Sequence, residues 1–452
     1  MHDVKLAFRG GLVTTPTGTR LADVAVSDGR IVAIQEPGTV SAERVVDADG
    51  LHVLPGGVDP HCHLMAGLTP STRAAALGGT TTALSFSLPE DGEATVSAFN
   101  RAQDLVAQDL AAVDLGLHAM CYRPNELTVA DVAELAELGA DAVKVFLAYP
   151  ELGIMATGDG LYRTMLAAKA VGLPVQVHCE DGEMVEALVE EASAEGRRGP
   201  RTFGGVRPPV LEEVAVRRAL GISGLAGGRL YVTHLSSRQA IDHVRASRVA
   251  GETEVTAEAC LHHLLFTEDE YDGPRAGALL VAPPLRAEDH VAAVREALRD
   301  GTLDTIGSDH SQERTEVDRR ISPCGDAHYG IPGIGARLPL MLSWGLDNGV
   351  PLDRLVHVLC TGPADAFGHP GKGRIAPGAD ADLVLWDPAE RWVADESSFA
   401  DGTSISPYAG TAVRGRIRSV WTRGRELVHE GEFTGSGEPG RHLIPERGGK
   451  TR

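Results

Sequence analysis

Between about residue 55 and residue 371 the chain repeats one pattern, a short apolar run followed by a stretch with helical spacing. The apolar runs are Gly57–His61, Thr81–Phe86, Leu115–Cys121, Ala142–Ala148, Pro174–His178, Leu230–His234, Glu254–Ala259 and Leu303–Ser308. Amphipathic segments lie between them, among them Val129–Leu138, Glu183–Ala194, Arg238–Ala250 and Asp289–Arg299, with apolar residues three and four apart. Near-continuous apolar strands belong to parallel sheets covered by helices on both faces. Eight of them alternating with helices predict an α/β fold, a (β/α)8 TIM-like barrel. Periodicity alone leaves open a doubly wound sheet as the competing topology.

The flanks read differently. Val4–Phe8, Leu21–Val26 and Ile31–Ile34 are short strands separated by glycine turns, too little chain for a stable domain alone. Ala381–Trp386, Ser419–Thr422 and Leu427–His429 repeat that texture near the end. We expect one small β-sandwich built from both termini, residues 1–54 and 372–434, beside a barrel of residues 55–371. Residues 435–452, rich in glycine and charge, are expected to form a tail that is ordered only if it finds a neighbour.

A chain of 452 residues with 63 acidic and 42 basic side chains carries a formal charge of −21. That argues against a nucleic-acid or anionic-membrane partner. No apolar run approaches the roughly 18–20 residues of a membrane span, and Met1–Lys5 lacks a signal-peptide core. Cysteines 62, 121, 179, 260, 324 and 360 form no CxxC pair, so reduced thiols in a cytoplasmic protein are expected.

In barrels the working residues come from the C-terminal strand ends. The first run closes on His61 and His63, two residues apart, so on an extended strand both imidazoles face one side. Such a pair is half of a site for zinc or its neighbours, although a His-x-His alone is weak evidence. The fifth run ends in His178, the sixth in His234 and the eighth leads into Asp309. A single buried histidine is more often a satisfied core residue, but four imidazoles and a carboxylate at strand ends point to one shared site. Lys144 lies inside the apolar run Ala142-Val143-Lys144-Val145-Phe146-Leu147. Burial disfavours its ammonium form. A neutral lysine amine can take up carbon dioxide as a carbamate, an anionic group able to bridge two cations. A core lysine paired with an acid is the alternative, and beside five other candidate ligands bridging is the better reading.

At these residues the chain resembles the cyclic amidohydrolases: hydantoinases, dihydropyrimidinases, allantoinases and dihydroorotases. The motifs are Pro55-Gly56-Gly57-Val58-Asp59-Pro60-His61-Cys62-His63, Val143-Lys144-Val145-Phe146-Leu147-Ala148-Tyr149, Val177-His178-Cys179-Glu180 and Val232-Thr233-His234-Leu235-Ser236-Ser237. Arg207-Pro208-Pro209, Pro283-Pro284-Leu285-Arg286, Ser308-Asp309-His310, Lys372-Gly373-Arg374-Ile375 and Asp380-Ala381-Asp382-Leu383-Val384-Leu385 extend the likeness over nearly the whole chain. The resemblance implies two divalent metal ions, usually zinc. His61, His63 and Asp309 would hold one, His178 and His234 the other, and N6-carboxylated Lys144 would bridge them. Hydroxide held between the ions would attack a ring amide carbonyl, with Asp309 carrying the proton to the leaving nitrogen.

Tyr149 matches the tyrosine that hydantoinases and dihydropyrimidinases use on the substrate's oxygen; without the resemblance it would pass for a rim or core aromatic. Ala282 and Tyr329 fall where hydantoinases contact substrate through main-chain groups. Dihydroorotases commonly carry an arginine where this chain has Met65, which favours a neutral ureide or imide ring. The connection from His63 to the helical Ser71–Leu77 is shorter than is usual in hydantoinases, and Asp309-His310-Ser311-Gln312 departs from the usual run. Both bear on substrate size and stereochemistry. The expected activity is ring-opening hydrolysis of the hydantoinase or dihydropyrimidinase kind, in a homodimer or homotetramer. Allantoinase or dihydroorotase activity is the first alternative. A non-catalytic structural paralogue is the second, disfavoured because all six ligand positions are present.

Overall fold

The computed structural model describes residues 4–108, 110–311, 330–399, 406–435 and 438–447. The eight expected strands are β1 (Gly57–His63), β2 (Thr80–Phe86), β3 (Asp114–Met120), β4 (Val143–Phe146), β5 (Val175–His178), β6 (Leu230–Val232), β7 (Val255–Cys260) and β8 (Thr305–Gly307). They lie side by side in chain order. Past β8 the chain runs through Ser308 and Asp309, and His310–Ser311 pairs in parallel with Cys62–His63 of β1. That pairing closes the ring. A doubly wound sheet would reverse its strand order and keep two free edges, so the barrel topology holds.

The strands are buried on both faces; every residue of β2 and of β3 is buried. Helices cover the outside. Val129–Glu137 opens with a capping box, in which the Thr128 hydroxyl accepts from the Asp131 amide and the Asp131 carboxylate accepts from the Thr128 amide. It turns Val132, Leu135 and Ala136 inward. Gly158–Val171 stops where Gly172 takes φ 75°, a left-handed cap that a side chain disfavours.

The termini build a second sheet of nine strands. Its seam is His52–Pro55 against Leu383–Trp386, antiparallel. In strand Leu6–Thr15, Leu6–Arg9 pairs with Arg44–Asp47 while Leu12–Val13 pairs with His52–Val53. One strand therefore serves two parts of the sheet, which encloses its own core around Phe8, Val24, Ile31, Val53, Leu385 and Trp421.

Buried ion pairs join this sheet to the barrel. Lys372 Nζ lies 2.5 Å from Asp114, 2.8 Å from Asp380 and 2.8 Å from Asp382, and Arg423 also pairs with Asp114. Three clustered carboxylates have the composition of a cation site, but here an ammonium and a guanidinium already neutralise them. The late Lys-Gly-Arg-Ile and Asp-Ala-Asp motifs thus form a joint, not a centre of chemistry. Residues 438–447 of the tail run along the barrel. Leu443 donates to the Leu115 carbonyl at 2.7 Å, and Arg447 donates to the carbonyls of Ala136 and Ala140. These described residues also meet the terminal sheet, where Arg423 donates to the Pro439 carbonyl at 3.3 Å.

Candidate active site

The C-terminal strand ends deliver the expected side chains to one cavity of about 610 Å³. Its wall contains His61 and His63 from β1, Lys144 from β4, His178 from β5, His234 just past β6 and Asp309 just past β8, together with Tyr149 and Ala282. Tyr329 lies outside the described residues. His61 Nε2 is 3.0 Å and His63 Nε2 3.5 Å from Asp309 Oδ1. His178 Nδ1 is 2.9 Å from His234 Nε2. Lys144 Nζ donates to Thr233 Oγ1 at 2.9 Å.

Carboxylates behind the rings decide which nitrogens face inward. Glu258 Oε1 is 2.7 Å from His61 Nδ1, and Glu180 Oε2 is 2.9 Å from His178 Nε2. An ionised carboxylate only accepts, so in the neutral rings those nitrogens carry the hydrogen. His178 Nδ1 then turns its lone pair toward the cavity, and His61 Nε2 would do so once the ring gives up its second proton, the arrangement by which a carboxylate orients a metal-binding imidazole. His234 Nε2 lies opposite the His178 lone pair, and the buried His234 Nδ1 has no hydrogen-bond partner among the described residues. His61, His234 and Asp309 place their ligand atoms within 4.8 Å of one another. The donor set fits divalent cations of the zinc type.

The electrostatics fit as well. Burial lowers Lys144 to about 8 against the opposing pull of Glu258 and Asp309. Burial also lowers His63 and His178, and holds His234 well below the usual imidazole range. Burial works against the charged form of His61 too, but Glu258 and Asp309 outweigh it and push His61 up to about 9. Burial raises the Asp309 carboxyl, yet His61 and His63 more than reverse this and hold it well below the usual carboxylate range. A pocket that stabilises a proton between two carboxylates also stabilises a metal cation.

The backbone at the strand ends is strained. Tyr149, His234 and Asp309 have φ of 67°, 40° and 48°, in the left-handed region that side chains disfavour. Hydrogen bonds hold two of them: the Asp309 amide donates to the His61 carbonyl at 2.9 Å, and the His234 amide to Glu258 Oε1 at 3.0 Å.

Several supporting residues escaped sequence reasoning. Glu258 touches His61, the His234 amide and, through Oε2 at 2.7 Å, the Tyr231 hydroxyl. Its signal was available: a carboxylate inside the apolar strand Val255–Cys260, the same anomaly that marks Lys144. Glu180 is opposed by burial but held at about 2, chiefly by Arg207 3.3 Å away. Arg286 reaches Glu212 at 3.2 Å and donates to the Arg207 carbonyl, so the Arg-Pro-Pro and Pro-Pro-Leu-Arg motifs meet behind His178. The short connection after β1 leads from Leu64 to Gly67 into helix Leu68–Leu77. Ala66 reaches the cavity, while Met65 packs against the core.

Residues 52–427 match the Amidohydrolase family. A D-hydantoinase of Streptomyces coelicolor is 33% identical, over 95% of this chain and 96% of that one. An allantoinase of Rubrobacter xylanophilus is 35% identical over 99% of each chain. Among solved structures, that of dihydropyrimidinase from Brevibacillus agri superposes with a TM-score of 0.91 at 32% identity, covering 98% of this chain and 99% of that one.

Proposed function

Since this chain belongs to the amidohydrolase family, we propose that it hydrolyses a ring C–N bond of cyclic amides or ureides, as the names of its D-hydantoinase and dihydropyrimidinase relatives suggest. The observation that carries this is the convergence of His61, His63, Lys144, His178, His234 and Asp309 on one cavity, with buried carboxylates behind the His61 and His178 rings. In this reading His61, His63 and Asp309 hold one divalent cation and His178 and His234 a second, zinc being the expected ion. Two cations there would polarise a ring carbonyl and lower the pKa of a water toward neutrality.

Lys144 enters as a carboxylated side chain. Its neutral amine would add to carbon dioxide, forming an N–C bond and releasing one proton, so a neutral buried group would become an anion able to help hold the cations. Asp309 accepts a proton from the attacking water and delivers it to the ring nitrogen as the C–N bond breaks. Water is thereby added across the bond, OH to carbon and H to nitrogen. Tyr149, its ring 5.0 Å from that of His178, donates its hydroxyl to the carbonyl oxygen as charge develops there. Main-chain groups of Ala282 and Tyr329 orient the ring amides.

Met65, where dihydroorotases place a cation, packs against the core, which supports a neutral ring. Residues 55–371 would carry the chemistry, residues 1–54 with 372–434 the flanking unit, and 435–452 the tail. The chain would assemble as a homodimer or homotetramer, a state that light scattering reads directly.

A panel of hydantoin, dihydrouracil, allantoin and dihydroorotate, assayed for ring opening with metal-reconstituted protein, tests the proposal. Turnover of hydantoin or dihydrouracil is expected. Preference for allantoin would move the assignment to the ring for which the allantoinase relatives are named. No turnover of any ring at full metal content would refute it.

A further inference from the structure

Beyond the residues assigned to metal and chemistry, the described cavity wall is mostly apolar, with the hydroxyl-bearing Tyr122 and Ser311 and a single charged residue, Glu151. Leu88, Met120, Ile154 and Val281 line the space, and so does Glu151, which is also exposed to solvent. Glu151 belongs to a single 3-10 turn, Pro150–Leu152, bracketed by left-handed Tyr149 and Gly153. The turn is held in place. Gly153 donates to the Pro150 carbonyl at 2.9 Å. The helix that starts at Gly182 packs so closely beneath that a Cβ there would lie 2.7 Å from Ala148 Cα and 2.9 Å from Pro150 Cδ. A fixed backbone thus carries an exposed carboxylate beside the mostly apolar wall of the cavity.

We propose that Glu151 is a cation subsite, and that preferred substrates are rings bearing an aliphatic arm that ends in an ammonium or guanidinium group. This rests on the ring-opening reading. The arm's methylenes lie along the apolar wall and exclude water from it. Its terminal cation meets the Glu151 carboxylate. An arm ending in a carboxylate meets like charge there, in a chain that already carries −21. Because the pair is exposed, the discrimination is severalfold and sensitive to salt.

The test compares hydantoins carrying 4-aminobutyl, pentyl or 3-carboxypropyl arms at ring carbon 5, with the parent protein, Glu151→Gln and Glu151→Lys. In the parent, kcat/KM for the aminobutyl ring should exceed that for the carboxypropyl ring by about tenfold. Glu151→Gln should cut this ratio to about a third and Glu151→Lys should invert it, with the pentyl ring unchanged within about twofold and the ratio eroded by high salt. A ratio that survives Glu151→Lys or high salt overturns the proposal. Equilibrium binding of the same compounds, by calorimetry, separates the two readings. Charge-ordered binding without ring opening removes the hydrolase reading and keeps the subsite; ring opening without charge order removes the subsite.

Discussion

Glu258→Gln should weaken metal binding without unfolding the barrel. The carboxylate accepts from the His61 ring, the His234 amide and the Tyr231 hydroxyl, at 2.7, 3.0 and 2.7 Å. Glutamine keeps the shape. Its carbonyl can go on accepting from His61 and His234, and its amide can donate to the Tyr231 oxygen, whose hydrogen turns to Thr305 Oγ1 2.7 Å away. What is lost is the charge. Hydrogen bonds to charged groups contribute about 1 kcal/mol more than neutral ones, so three of them set an upper bound of about 3 kcal/mol on the loss of stability. Removing a partner that orients a ligand imidazole typically costs about 10–100-fold in metal affinity. Chelator competition on metal-free protein gives the affinity, and urea unfolding gives the stability.

A second readout comes from pH. In the metal-free protein His61 sits at about 9, above the value of about 6.5 expected when unfolded. Its proton is therefore bound more tightly in the folded state. That contributes stability which is fully present below about pH 6.5 and is lost as pH rises through about 9. With Glu258 neutral, the His61 pKa should fall and this slope should flatten. Metal affinity within about threefold of the parent, with an unmoved His61 titration, would show that Glu258 does not set the state of His61.

Asp309→Asn should keep the fold and much of the metal yet lose nearly all turnover, because the amide can offer an oxygen but cannot carry the proton; turnover within about tenfold of the parent at matched metal content would remove Asp309 from the proton-transfer role. Tyr149→Phe should depress kcat more than it raises KM, by about 2–4 kcal/mol in transition-state terms; an unchanged kcat with a higher KM would reassign Tyr149 to plain binding. Lys144→Ala should bind less metal and be almost inactive, with partial rescue by short-chain carboxylic acids. Full occupancy and a normal rate in that variant would refute the bridge.

The barrel was legible because parallel strands covered on both faces must be apolar throughout, and no surface requirement blurs that pattern. The shared cavity was legible for a related reason: a polar side chain at a strand end sits directly after an apolar run, so His178, His234 and Asp309 stand out. Glu258 was missed although it breaks its strand as sharply as Lys144 breaks β4, since its partner His61 lies 197 positions away and no local spacing joins them. The Lys372 joint was hidden in the same way, as Asp114 is 258 positions distant. Three-dimensional pairing of buried charges leaves a trace in sequence only as an unexplained charged residue in an apolar context.

Strain and charge meet at the same residues. Tyr149, His234 and Asp309 each adopt a left-handed backbone that costs a side-chain-bearing residue about 1–3 kcal/mol. Asp309 and His234 are held by bonds to the His61 carbonyl and to Glu258, so β1 and β7 fix the backbone at two other strand ends. The turn at each strand end lets a side chain that would otherwise continue the strand's alternation point into the cavity. His61 is the common element: its ring contacts Glu258 and Asp309, and its carbonyl anchors the Asp309 amide. A conformation this costly persists only where neighbours over-determine it, and for Asp309 and His234 those neighbours are the His61 carbonyl and Glu258. A substitution at His61 should therefore remove its ring contacts to Glu258 and Asp309 while leaving the main-chain bond that holds the Asp309 backbone.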